Sequence, residues 1–221
     1  MGLIAPPHAK NFRNRKESQM KIALIGATGN AGSRILAELV SRGHEVTAIV
    51  RHPEKVPANP KVTARKGDVY DKAGLAALLA GHDAVISSVH FTASDPHTLI
   101  EAVRASGVKR YLVVGGAGSL EVAPGVTLVS TPEFPAIYKE EATKGAEFLG
   151  ILRGEKDLDW TFLSPSALFV PGERTGKFRL GGDQLLANDK GSSISFEDYA
   201  IALADEIEKP AHSRARFTVG Y

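Results

Sequence analysis

Residue types able to do chemistry gather at a few points of this chain, most densely in Gly26-Ala27-Thr28-Gly29-Asn30-Ala31-Gly32. The three glycines have separate tasks. Gly26 permits a tight turn, Gly29 lets a pyrophosphate approach the backbone, and Gly32 lets a following helix pack on the preceding strand. A helix starting here offers free N–H groups and a partial positive charge to phosphates. That is the chemistry of dinucleotide binding, with Thr28, Asn30 and Ala31 in the same turn. Arg51 stands where NAD-specific sites carry an acidic residue, about 20 residues past the glycines. A guanidinium there suits a 2′-phosphate, so NADP(H) is the expected cofactor and NAD(H) the alternative. Asp68 and Val69 are placed to meet adenine, and Ser87, Ser88 and Val89 to pass beside ribose and pyrophosphate. His90 is a candidate acid–base group, against the plainer reading of a surface histidine. Gly115, Gly116, Pro165, Ser166 and Ala167 should flank the nicotinamide, with Tyr138 facing the same crevice.

These assignments depend on the elements that carry the residues. Lys21–Ile25 reads as a buried parallel strand, and residues 33–40 repeat apolar side chains at helical spacing. Further strands are expected over 45–50, 61–66, 84–88, 110–114, 158–163 and 214–219. Helices are expected over 73–79, from Asp95-Pro96 through Ala105, over about 134–152, and over 199–208 with Ser195 as its cap. Gly181-Gly182-Asp183 reads as a turn between short strands. The alternation predicts an α/β doubly wound Rossmann fold, a parallel sheet covered by helices, with a small C-terminal appendage on the substrate side. Ligands of such sheets bind beyond the carboxyl ends of the strands, so the residues following each strand carry the function.

Composition bounds the reading. The chain has 221 residues, 43% of them hydrophobic, and no cysteine. Disulfides, thiolate nucleophiles and cysteine zinc sites are therefore excluded, no metal site is expected, and a cytoplasmic location fits. No uncharged apolar stretch has membrane-spanning length, so no membrane partner is expected. The formal charge of +2 arises from Lys10, Arg13, Arg15 and Lys16 near the start of the chain. No basic face for nucleic acid is foreseen. Residues 1–19 lack periodicity and a signal-type apolar core, and are read as a flexible extension or vector remnant. Residues 20–221 are read as a single dinucleotide-binding domain whose part from about 165 onward forms the substrate side. The expected partner is a small-molecule acceptor, for a monomer or homodimer.

With these residues placed, the chain resembles the short-chain dehydrogenase/reductase superfamily. Within it, the chain is similar to the atypical, NmrA-like NAD(P)H-binding branch that includes bacterial NADH–flavin reductases and the biliverdin/flavin reductase type. GATGNAG, VRHP, GDV and DWTFLSPSALFVPGERTGKFRLGGD carry the resemblance. Members that reduce carbonyls use a serine after the fifth strand and Tyr-x-x-x-Lys on the next helix. Here Tyr138 is followed four residues later by Ala142, and Gly115 or Gly116 takes the serine position, with Ser119 the nearest hydroxyl. Tyr138 and Ser119 are the catalytic candidates the resemblance leaves, although Tyr138 also reads as a packing tyrosine. The resemblance implies an NADPH-dependent reductase passing hydride to a flavin, a quinone or a similar conjugated acceptor. A non-catalytic redox sensor of the NmrA type and a nucleotide-sugar epimerase or dehydratase are the alternatives. The charged run Pro171–Lys177 is expected as an exposed loop over the crevice, either a lid or a solvated segment.

Overall fold

β1 (Lys21–Ile25) is buried from Ile22 onward because it lies between two parallel neighbours and under helices on both faces. The computed structural model describes residues 19–221, and the expected extension, apart from Gln19, lies outside the described residues. After β1 come α1 (Asn30–Ser41), β2 (Glu45–Val50), β3 (Val62–Lys66), α2 (Lys72–Leu79) and β4 (Ala84–Ser87). They are followed by α3 (Pro96–Ser106), β5 (Arg110–Val114), β6 (Glu121–Ala123), β7 (Val126–Thr127) and α4 (Ala136–Gly154). The remainder comprises β8 (Asp159–Pro165), β9 (Leu168–Val170), β10 (Arg179–Gly181), β11 (Ser193–Ser195), α5 (Phe196–Glu208) and β12 (Ala215–Gly220).

The main sheet runs in the order β10-β12-β8-β5-β4-β1-β2-β3. Every pair is parallel except β10–β12. The chain starts in the middle, winds outward to β3, then returns and winds the other way from β4. This is the doubly wound α/β arrangement, with the order reversing between β1 and β4. One core lies between the sheet, α1 and α5, around Ile35, Leu39, Tyr199 and Leu203. The other lies under α2, α3 and α4, around Leu75, Leu99, Phe148 and Trp160.

Local chemistry sets the helix starts as expected. The Asp71 side chain accepts from the Gly74 N–H at the start of α2. Asp95 does the same for Thr98 with Pro96 in the first turn of α3, and Ser195 for Asp198 in α5. One expectation is corrected and one feature is added. The Gly181-Gly182-Asp183 turn does not join two paired short strands; β10 pairs instead with β12, whose sequence lies far downstream. Residues 119–135 hold a small β6–β7 hairpin and a 3-10 turn at Leu128–Ser130 that carried no sequence signal.

Candidate functional site

The turn after β1 is built as the glycine spacing requires. Gly26 adopts φ +83°, and a Cβ placed on it would lie 2.1 Å from the Ser88 carbonyl oxygen. A Cβ on Gly32 would lie 2.1 Å from the Gly26 carbonyl oxygen. These two glycines therefore pack the turn against the end of β4 and against α1. Gly29 is different: its hypothetical Cβ would meet nothing closer than 3.4 Å. Gly29 is the N-cap of α1, which has no side-chain cap and no acidic residue in its first turn. The first intrahelical bond is Ser33 N–H to the Gly29 carbonyl. The N–H groups of Asn30 and Ala31 thus point out of the helix start with its dipole uncompensated.

A cleft of about 860 Å³ opens beside this turn, along the carboxyl ends of β1, β4, β5 and β8. Its volume lies in the range of small-molecule and cofactor sites, ~300–1,000 Å³. Gly29, Asn30 and Ala31 contribute the start of α1 to its lining. Ser88, Val89, Gly115, Gly116 and Tyr138 line it, as do Pro165, Ser166 and Ala167 after β8. Sequence reasoning missed part of the lining: Leu128, Thr131, Glu133 and Phe134 from the 119–135 excursion, with Phe196 from the start of α5; Leu168 and Phe169, which follow Ala167 after β8, complete it. Only the position of Phe134 just ahead of the long helix could have signalled part of it.

The other expected site residues are distributed elsewhere. Gly26, Thr28 and Gly32 stand in the glycine turn but are not part of the cleft lining, and Thr28 is exposed. Arg51, Asp68 and Val69 lie after β2 and β3, farther along the same sheet edge. Arg51 is exposed and makes no hydrogen bond or ion pair among the described residues, whereas Asp68 accepts from the Tyr70 N–H and Val69 packs on the core. The Ser87 hydroxyl bonds the Tyr111 hydroxyl at 2.9 Å in the buried interior, so its side chain is unavailable to a ligand. Ser119 is also corrected as a candidate. It is outside the cleft lining, and its hydroxyl accepts from the buried Arg216 guanidinium at 3.3 Å.

The glycines after β5 differ in use. A Cβ on Gly115 would lie 2.4 Å from the Phe162 ring, and one on Gly118 would lie 2.8 Å from Ala142 Cβ. Both serve packing. Only Gly116 faces open space, with the Phe91 ring 3.6 Å from its hypothetical Cβ.

Glu141 organises the turn after β4. Its carboxylate accepts from the Phe91 N–H (2.8 Å), the Thr92 N–H (2.9 Å) and the Thr92 hydroxyl (2.7 Å). His90 Nδ1 lies 3.3 Å from the same group. Burial alone would raise the Glu141 pKa, but the Thr92 and Phe91 bonds and the His90 charge outweigh it and hold the carboxyl below its ordinary range. Phe91 anchors the turn from beneath, edge-on to Phe148 and stacked on Phe162. Tyr138 is 62% exposed, and its hydroxyl has no partner among the described residues. One turn further, Ala142 packs directly against Gly118.

The 171–177 run is exposed but does not lie over the cleft, correcting that expectation. Arg174 donates twice to Glu38 on α1, at 2.9 Å each. The Thr175 hydroxyl and the Gly176 N–H are held by Asp198 at the start of α5. The segment straps α1 to α5 on the opposite side of the sheet from α4.

A family model described as NAD(P)H-binding matches residues 26–210. The chain belongs to this NAD(P)H-binding family. It is 46% identical to the uncharacterized protein YwnB of Bacillus subtilis (strain 168), over 90% of this chain and 98% of that one. A Bacteroides thetaiotaomicron structure named a "putative epimerase" is 44% identical, with a TM-score of 0.88 over 92% of this chain and 98% of that one. A Streptococcus pneumoniae TIGR4 structure named a "putative NADH-flavin reductase" is 41% identical, with a TM-score of 0.76 over 91% of this chain and 99% of that one. Family and geometry agree: the glycine cradle and the free helix start fit a dinucleotide pyrophosphate. Among the described residues no helix is long and apolar enough to cross a membrane, and no cluster of side chains suits a metal ion.

Proposed function

We propose that this protein is an NADPH-dependent reductase that delivers hydride to a planar conjugated acceptor of flavin or quinone type. The carrying observation is the contact of Ala142 with Gly118 one helical turn beyond Tyr138. No lysine stands there to lower the tyrosine pKa, and the Tyr138 hydroxyl has no relay partner among the described residues. Carbonyl reduction needs a proton delivered as hydride arrives. A conjugated acceptor takes its proton from water, so the protein mainly needs to hold two flat groups face to face.

The nicotinamide cofactor supplies the hydride. In this reading the N–H groups of Asn30 and Ala31 bind the pyrophosphate, and Arg51 binds the 2′-phosphate. Asp68 and Val69 hold the adenine. Ser88 and Val89 border the ribose, and Gly116 with Pro165, Ser166 and Ala167 borders the nicotinamide. The name of the pneumococcal relative supports the acceptor class, and the unpartnered Arg51 supports NADPH over NADH.

Anaerobic steady-state assays with NADPH and either riboflavin or menadione test the reading. Saturable NADPH oxidation is expected, and tight NADPH binding without turnover on any acceptor would overturn it. In the same assays Arg51→Glu should weaken NADPH relative to NADH by about tenfold or more. Unchanged relative affinity would remove Arg51 from the site.

The lack of a lysine-assisted tyrosine also favours a second reading, a non-catalytic sensor of the pyridine nucleotide pool. Such a protein must separate NADP⁺ from NADPH in affinity, because coupling to a partner requires a difference in binding. Equal affinities with turnover favour the reductase.

A further inference from the structure

We infer that the acceptor half of the cleft takes an uncharged planar aromatic molecule, and that Glu133 turns anionic analogues away. The inference rests on the reductase reading only in calling this molecule an acceptor. Its support is the composition of the cleft lining, to which Leu128, Phe134, Tyr138, Leu168, Phe169 and Phe196 all contribute. Tyr138 is 62% and Leu168 55% exposed, so large apolar surfaces of the lining lie open to water. A flat aromatic molecule covers such surfaces and stacks on such rings.

Charge completes the argument. Besides Tyr138, the ionisable side chains lining the cleft are His90, Glu133 and Glu141, and no lysine or arginine lines it among the described residues. Glu141 is saturated by Phe91 and Thr92. Glu133 lines the cleft, is exposed, and has no hydrogen bond or ion pair among the described residues, so no cation of this chain neutralises its charge. A phosphate or sulfonate brought near Glu133 would lose water, meet a like charge and find no counter-cation. The one place in the cleft arranged for an anion, the start of α1, suits the cofactor pyrophosphate and would be filled by it.

Riboflavin and FMN isolate the effect, because they share the isoalloxazine ring and differ by a phosphate. Flavin fluorescence quenching, titrated on the full chain saturated with NADP⁺, reads binding without turnover. Riboflavin should bind about tenfold more tightly than FMN, and added salt should narrow the ratio. Glu133→Gln should narrow it further, and Glu133→Lys should bring FMN level with riboflavin or ahead of it. Glu133 is an exposed loop residue, so both variants should fold. FMN binding as tightly as riboflavin to the wild-type chain overturns the inference. So does a ratio unmoved by either substitution, or failure of both flavins to bind. A riboflavin preference without NADPH turnover would leave the ligand class standing and remove the reductase reading. Turnover with equal binding of the two flavins would do the reverse.

Discussion

At Gly26 and Gly32 the fold itself forbids a side chain; at Gly29 only a ligand would. Gly26→Ala combines a left-handed backbone with overlap against the Ser88 carbonyl, and Gly32→Ala overlaps the Gly26 carbonyl. Each should cost about 3 kcal/mol or more. Gly29→Ala meets nothing closer than 3.4 Å at φ −72°, and should cost under about 1 kcal/mol as a poorer helix cap. Thermal melts should therefore separate Gly29→Ala from the other two, while NADPH titration should show Gly29→Ala weakened by about tenfold. The packing roles of Gly26 and Gly32 were legible in the sequence because the spacing fixes them locally. Ser87 and Ser119 were not, because their use depends on what stands opposite. Ser87 sits across from Tyr111 through strand pairing, and Ser119 meets Arg216, a residue 97 positions later in the chain.

Among the elements, the turn between β4 and α3 is held by a carboxylate and should loosen in acid. Glu141 is held below the ordinary carboxylate range, so its contribution is fully present above about pH 4.3 and is lost as pH falls through its lower folded value. Glu141→Gln keeps the shape but not the charge. Its melting temperature should lie below wild type at pH 7, and the gap should close as pH falls toward about 3. Glu141→Ala should lose about 1–3 kcal/mol and speed amide exchange at Phe91 and Thr92. A gap independent of pH would show that the Glu141 charge does not hold the turn. The long helices and the six inner strands were legible because periodicity and caps such as Asp71, Asp95 and Ser195 mark them. β6, β7, β9 and β11 were not, since two or three residues are too few for any repeat to emerge. Leu128, Thr131, Glu133 and Phe134 lie in the irregular 119–135 excursion, where no repeat could announce that they line the cleft.

Across the whole molecule, two kinds of ion pair tie helix to helix and helix to sheet, and they should differ sharply in worth. Arg110 on β5 and Glu206 on α5 meet at 2.8 Å, and both are buried. Glu206 also accepts from the backbone of Ala211 and His212 and from the His212 ring. Glu206→Ala leaves the Arg110 charge without its main partner and should cost about 3–5 kcal/mol, a drop of roughly 10 °C in Tm. Replacing Arg110 and Glu206 together by Met and Leu should recover much of that loss. Arg174 is 57% exposed where it meets Glu38, and Glu38 keeps its bond to Arg42 when Arg174 is removed. Arg174→Ala should cost under about 1 kcal/mol. Comparable losses from Glu206→Ala and Arg174→Ala would contradict this ordering.

The position of β12 also bears on synthesis. This strand, the latest in sequence, is inserted between β8 and β10 instead of being added at an edge. β10 has no other partner in the main sheet, so while the chain grows from the ribosome its backbone waits unpaired until Ala215–Gly220 emerges. The strands that carry the glycine turn, from β1 to β5, can associate well before then. A nascent chain halted short of β12 should therefore own a nearly finished cofactor cradle beside an open sheet edge at β8, and such an edge invites pairing with a neighbouring chain.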